Sequence, residues 1–132
     1  MTLQEFFKGD RYADFTGCRI VEARTGYAKV EMTVSDMHLN GGGTCQGGAI
    51  FTLADLAFAV CVNSHGMLTV SLSSNISFPH APRVGDVLTA EAVEVFDHPK
   101  VPCCRVDIRD QNGNLVATFS GQAYRKNVPL PL

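Results

Sequence analysis

The sequence predicts an α+β protein in which an antiparallel sheet of five or six strands wraps around one long helix. Three observations carry this reading. Several segments alternate apolar and polar residues with a period of two, the stretch from Gly47 to Asn63 is apolar on nearly every side, and Asn112-Gly113 marks a tight hairpin between the last two alternating segments. Internal repeats, low-complexity runs and linkers are absent, so residues 1–132 form a single domain.

Taken in order, Cys18 to Arg24 reads as a first strand, with Thr25-Gly26 as the turn that follows. Ala28, Val30, Met32 and Val34 then alternate with Lys29, Glu31 and Thr33, a strand with one wet face. Gly47 to Asn63 suits a helix of about four and a half turns at 3.6 residues per turn. Asn63-Ser64-His65-Gly66 closes it, with Gly66 placed for the left-handed conformation that ends helices. Leu68, Val70, Leu72, Ser74, Ile76 and Phe78 alternate with Thr69, Ser71, Ser73, Asn75 and Ser77, a long third strand whose second face is small and polar. After a turn over Pro79 to Gly85, the mixed pattern of Asp86 to Phe96 predicts a strand buried on both faces for part of its length. Cys104, Val106 and Ile108 alternate with Arg105, Asp107 and Arg109, and Asn112-Gly113 supplies positive φ angles before a last strand from Leu115 to Tyr124.

Composition narrows the function. A formal charge of −2 and an isoelectric point near 6.0 leave no broad basic field for a phosphate backbone, which argues against a nucleic-acid partner. Met1 to Asp10 lacks the basic and apolar regions of a secretory signal, and the longest apolar stretch, Ala49 to Val62, is interrupted by Asp55 and falls short of a membrane span. Five cysteines without C-x-x-C spacing point to reduced thiols, and a cytoplasmic location without membrane attachment is expected. The four histidines never take the spacing that sets two metal ligands on one helical face, so neither metal nor cofactor is expected.

Asp55 is the one charge on the central helix and sits near its middle. Burying an ionised carboxylate without partners costs several kcal/mol, so something must compensate. In one reading Asp55 accepts backbone hydrogen bonds and fixes packing; in the other it is a poorly hydrated base whose pKa rises toward working pH. The residues alone leave the two level. The segment His38-Leu39-Asn40-Gly41-Gly42-Gly43-Thr44-Cys45-Gln46-Gly47-Gly48 adds to the second, because glycines let a ligand approach backbone N–H groups at the positive end of a helix, where an oxyanion is stabilised. It is no phosphate loop, since no lysine follows the glycines. Gly47 and Asp55 lie about 12 Å apart along one helix, too far to act on one carbonyl carbon. A two-fold dimer with two such helices in opposite senses unites them, which predicts a shared active site in a homodimer. A dimer of dimers is the expected assembly, although the residues leave dimer and tetramer open.

The stretch HLNGGGTCQGGAIFTLADLAFAVCVNSHG, followed by Asn75-Ile76-Ser77-Phe78 and by Pro82-Arg83-Val84-Gly85-Asp86, resembles the hotdog-fold acyl-CoA thioesterases of the phenylacetate-degradation type. The resemblance implies hydrolysis of an acyl-CoA, aromatic or medium-chain, to free acid and coenzyme A. It implies that Asp55 activates water or attacks the carbonyl, that the Gly47 N–H polarises the carbonyl oxygen with Gly48 beside it in substrate binding, and that Asn40 and Ser71 lie near the reacting centre. Gln46 departs from the family, whose members usually have His before the Gly-Gly pair. Glutamine donates hydrogen bonds but exchanges no proton near neutral pH, although a thiol leaving group of pKa about 8.5 needs little proton assistance. Arg83, Arg125 and Lys126 are the cations positioned by type to meet coenzyme A phosphates.

Two other functions fit the same fold. A carrier or sensor that binds acyl-CoA without hydrolysing it accords with Gln46, and an acyl-thioester dehydratase accords with the fold but wants a histidine with an acidic partner near the helix, for which His38 and His65 are poorly placed. Cys45 beside the glycine-rich loop has no obvious histidine partner and reads as a small buried thiol.

Overall fold

Alternation of side chains becomes one six-stranded antiparallel sheet in the computed structural model, which describes residues 1–132. The strands are β1 (Arg19–Arg24), β2 (Tyr27–Thr33), β3 (Met67–Ser77), β4 (Val87–Phe96), β5 (Cys103–Arg109) and β6 (Leu115–Pro129), in the spatial order β1-β2-β4-β5-β6-β3. Register follows the apolar sets. Val30 faces Ala90 and Met32 faces Leu88 across β2 and β4, and Ala92 faces Val106 and Ala90 faces Ile108 across β4 and β5, so one face of the sheet is continuous and dry.

The central helix, α3 (Gly47–Val62), lies against that face, and Leu53, Ala57, Phe58 and Val60 are wholly or almost wholly buried there. Each large apolar side chain enclosed in this way contributes about 1.5–3 kcal/mol. Gly121 on β6 shows how close the approach is: a Cβ there would lie 2.6 Å from a ring carbon of Phe58, so only glycine lets the helix seat. Gly66 takes φ 88° after the helix, as its position in the sequence requires. No helix is long and apolar enough to cross a membrane.

The structure departs from the expectations in several places. Two short helices precede the sheet, α1 (Leu3–Phe7) and α2 (Arg11–Thr16), each capped by an N-terminal side chain, Thr2 and Asp10 respectively. Their few residues are too short to present a helical period. β4 is buried on one face only: Leu88, Ala90 and Ala92 are enclosed while Val93, Val95 and Phe96 stand in solvent on this chain. Of the Asn112-Gly113 pair only Gly113 has positive φ, because the Asp110 carboxylate accepts from the Asn112 and Asn114 backbone N–H groups and shapes the turn by itself. β6 runs on to Pro129, well beyond Tyr124, since β3 is long enough to pair with it. β3 forms a sheet edge, so its apolar residues are exposed as well as its serines; Leu72 keeps 56% of its surface.

Candidate active site

The glycine-rich loop is held by its own polar groups. The Asn40 side-chain oxygen accepts from the Gly42 N–H (2.9 Å) and the Thr44 N–H (3.1 Å), and its amide donates to Thr44 Oγ1 (3.1 Å). Further along, the Cys45 N–H donates to Pro82 O at 2.9 Å and the Gln46 N–H to His38 O at 2.7 Å. His38 is buried with both ring nitrogens engaged: Nδ1 accepts from the Ser35 N–H (2.9 Å), which leaves the proton on Nε2 to donate to Thr16 O (2.6 Å). This imidazole ties α2 to the loop and has no nitrogen left for catalysis.

At the start of α3 the arrangement reverses. Gln46 occupies the capping position in extended conformation but makes no side-chain capping bond, and no chain acceptor meets the Gly47 or Gly48 N–H. The Gln46 side chain folds back over Gly48, where its Oε1 would lie 2.8 Å from a Cβ. The ring of Phe78, just past β3, rests against Gly47, 3.3 Å from where a Cβ would be. A glycine pair thus leaves two amide donors open at the positive end of a sixteen-residue helix.

Two turns along, Asp55 is partly buried and lines a cavity of about 230 Å³ that it shares with Phe6, Phe7, Asn63, Val70 and Ser71. No hydrogen bond from the chain reaches its carboxylate. Burial raises its pKa above the usual carboxylate value, and the negative charge of Asp10 adds to the effect. The packing role, in which backbone donors satisfy Asp55, is therefore not what the fold provides. Ser71 is in the same cavity, with its Oγ 3.3 Å from Ser74 Oγ.

Asn63 was not singled out in the sequence, yet it builds this cavity. Its side chain donates to Ala59 O (2.8 Å) and Thr69 O (3.0 Å) and accepts from the Thr69 N–H (2.8 Å), fastening the end of α3 to β3 two residues before Ser71. Its place at the C-cap was the available signal. Phe6 and Phe7 were also missed, because α1 was.

The structure brings Asp55 and Ser71 together and leaves Asn40, Gln46, Gly47 and Gly48 in a separate group at the helix start. The cations are dispersed too. Arg125 pairs with Asp97 at 2.6 Å, with only 14% of its side chain exposed, while Lys126 is exposed. Arg83 is exposed in the turn after β3. Because Thr69 pairs with Arg125 and Ser77 with Thr118, Arg83 and Arg125 lie toward opposite ends of β3. Asp97 and Glu94 also flank His65, whose Nε2 lies 2.6 Å from Glu94 Oε1 and 3.5 Å from Asp97 Oδ2, a His and carboxylate group that spacing along the chain could not reveal. The Arg125 guanidinium supplies its counter-charge. Burial pushes the Cys45 thiol up to about 11, which makes it a poor nucleophile at neutral pH.

Residues 42–117 match the thioesterase superfamily, and acyl-coenzyme A thioesterase PaaI of Escherichia coli is 35% identical over 119 residues, covering 90% of this chain and 85% of that one. The chain belongs to the thioesterase superfamily. Within it, a protein of Archaeoglobus fulgidus provisionally called an esterase is 40% identical over 125 residues, covering 95% of this chain and 81% of that one. The solved structure of the E. coli PaaI protein, from the phenylacetic acid degradation operon, superposes with a TM-score of 0.92 at 33% identity, over 96% of this chain and 91% of that one. A thioesterase-family protein of Streptococcus pneumoniae solved with coenzyme A superposes at 0.86 with 27% identity, over 93% and 98% of the two chains. The fold is therefore the hotdog fold of the PaaI type, and the chain is a thioester hydrolase.

Proposed function

We propose that the thioester is an acyl-CoA, hydrolysed to free acid and coenzyme A, with Asp55 as general base and the Gly47 N–H as oxyanion donor. The observation that carries this is a carboxylate in a cavity, unpaired and held above its ordinary pKa, on the same helix as two unoccupied amide donors. Water beside Asp55 and Ser71 gives a proton to Asp55 as its oxygen attacks the carbonyl carbon. The oxygen of the tetrahedral intermediate takes the amide hydrogen bond, and the C–S bond then breaks with the electron pair leaving on sulfur. Coenzyme A leaves as a thiolate of low basicity, so Gln46 suffices where a histidine would donate a proton. PaaI, named as an acyl-coenzyme A thioesterase, supports the substrate class, as does the coenzyme A in the Streptococcus pneumoniae structure. Arg83 and Lys126, both exposed, are the candidates for its phosphates; Arg125 would serve by holding the adjoining strand ends through Asp97.

The active site is completed by a second copy of this chain. Asp55 and Gly47 are about 12 Å apart on one helix, so the donor that serves Asp55 is Gly47 of the partner subunit. The unpaired β3 edge, with Val70, Leu72 and Phe78 exposed, supports this, because Phe78 touches Gly47 and an edge contact brings the neighbouring chain to the helix start.

Asp55→Asn keeps shape and removes the base. Turnover of acyl-CoA, followed by thiol release, is expected to fall by about two orders of magnitude or more with unchanged circular dichroism; unchanged turnover rejects the assignment. The wild-type rate falls as the medium is acidified through the raised pKa of Asp55, above the ordinary carboxylate range. A single turnover in ¹⁸O-water tests the nucleophilic route: an unlabelled first product with the label found in Asp55 means that Asp55 attacks the carbonyl and water then opens the anhydride at the Asp55 carboxyl carbon.

A further inference from the structure

Beside the Asp55 cavity lies a larger one of about 520 Å³, between the N-terminal helices, β1 and α3, and no part of the reading above uses it. Its floor is apolar, formed by Phe7, Ala13, Cys18, Ile20 and Leu56, and its rim carries charges of both signs, among them Lys8, Asp10 and Arg19. Leu56 follows Asp55 directly, so the two cavities meet α3 on adjoining sides. Phe7 is the residue that lines both.

We infer that the Phe7 ring is the partition between these cavities and sets the size of the acyl group, a specificity-determining role that rests on the thioesterase reading of Asp55. Volume is the first argument. The Asp55 cavity alone falls below the roughly 300–1,000 Å³ of sites for drug-sized ligands, and opening it into its neighbour brings it within that range. A short acyl group fits with the ring in place, whereas an aromatic or medium-chain group needs the second, apolar-floored cavity.

The second argument is how lightly the partition is held. α1 has five residues, none of them fully buried, and too short a length to be stable in isolation. Its order comes from the reciprocal Thr2 and Glu5 capping bonds, both 3.1 Å and exposed, from partial packing of Leu3 and Phe7 on the core, and from the edge-on contact of the Phe6 and Phe7 rings at 5.1 Å. A ring carried on such an element can swing without disturbing the sheet. By contrast Phe58 and Phe119, locked together at 5.4 Å inside the core, cannot act as a gate.

The test compares Phe7→Ala and Phe7→Trp with the wild type on acetyl-, hexanoyl-, decanoyl- and phenylacetyl-CoA. Phe7→Ala is expected to raise the ratio of decanoyl to acetyl kcat/KM about tenfold, and Phe7→Trp to lower it by a similar factor, in line with the discrimination that small volume changes give in apolar pockets. A ratio that stays within twofold in both variants overturns the inference. Because the chain has no tryptophan, Phe7→Trp also supplies a fluorescent reporter independent of turnover. Its emission should shift with decanoyl-CoA and stay fixed with acetyl-CoA; an equal response to both overturns the partition even if no acyl-CoA is hydrolysed. Loss of hydrolysis in the wild type, together with an acyl-dependent shift, would reject the thioesterase reading and keep the partition. If Phe7→Ala fails to fold, the Phe7→Trp ratio and emission decide.

Discussion

The two ends of α3 are built in opposite ways. At the C-terminal end side chains bind the backbone: the Asn63 side chain makes three hydrogen bonds, Ser64 Oγ donates to Cys61 O at 2.7 Å, and Gly66 turns the chain in the left-handed conformation. At the N-terminal end a loop is stiffened by Asn40, yet the helix it leads into is left uncapped, with Gly47 and Gly48 offering free amides. A satisfied end contributes stability, commonly about 1 kcal/mol for a single capping bond. A rigid loop in front of an unsatisfied end forgoes that gain, and under the proposed function its open donors are the ones that meet the oxyanion.

Changes at each end should therefore separate activity from stability, and the largest effect is expected at the open end. Gly47→Pro removes one amide proton at a position where proline suits the first helical turn. It should cut turnover about 10²–10³-fold while leaving the thermal midpoint nearly unchanged. Gly47→Ala retains the proton and asks only that the Phe78 ring yield a few tenths of an ångström, so a comparable loss in both variants would mean that shape, and not the donor, matters. At the closed end, Asn63→Ala strands the Thr69 N–H and carbonyl in a buried place. Urea unfolding should register a loss of about 2–3 kcal/mol, with kcat much less affected than by Gly47→Pro. A collapse of kcat without loss of stability would undo the contrast between the ends.

Asp55, midway between them, should behave like the open end. Its pKa is raised by folding, so its contribution to stability is full below the unfolded carboxylate pKa and is lost as pH rises through the folded value. At neutral pH Asp55→Asn is accordingly expected to unfold at higher urea than the wild type, an advantage that vanishes under acid conditions; a destabilised variant at pH 7 would indicate a buried partner for the carboxylate. The smallest effect belongs to Gln46→His, which restores a titratable group at the cap. With so weakly basic a leaving group the gain in turnover should stay under about tenfold, and a new inflection near the histidine pKa of about 6.5 should mark the pH profile. A hundredfold gain would show that proton donation limits this chain.

Much of the fold was legible because it is local. Strand periodicity over Ala28–Val34 and Cys104–Arg109, the apolar run of α3 and the glycine at position 66 are properties of neighbours in sequence, and each appears within a residue or two of its expected place. The reading failed where an element was too short to show a period, as with α1 and α2, or where burial depended on position in the sheet. β3 and β4 have apolar residues on faces that the chain leaves open, because β3 is an edge strand and the outer face of β4 meets nothing in this chain.

Of the site, sequence determined the ingredients: one carboxylate in an apolar helix, a glycine-rich approach to its start, and a spacing of about 12 Å between Asp55 and Gly47. Tertiary structure alone decided their surroundings. It set Ser71 and Asp55 on the lining of one cavity, spent both nitrogens of His38 on the backbone, tied Arg125 to Asp97, and put Phe7 on the lining of two cavities. The reason is physical: hydration, hydrogen-bond partners and free volume around a group depend on residues far away in the chain, and no local pattern encodes them.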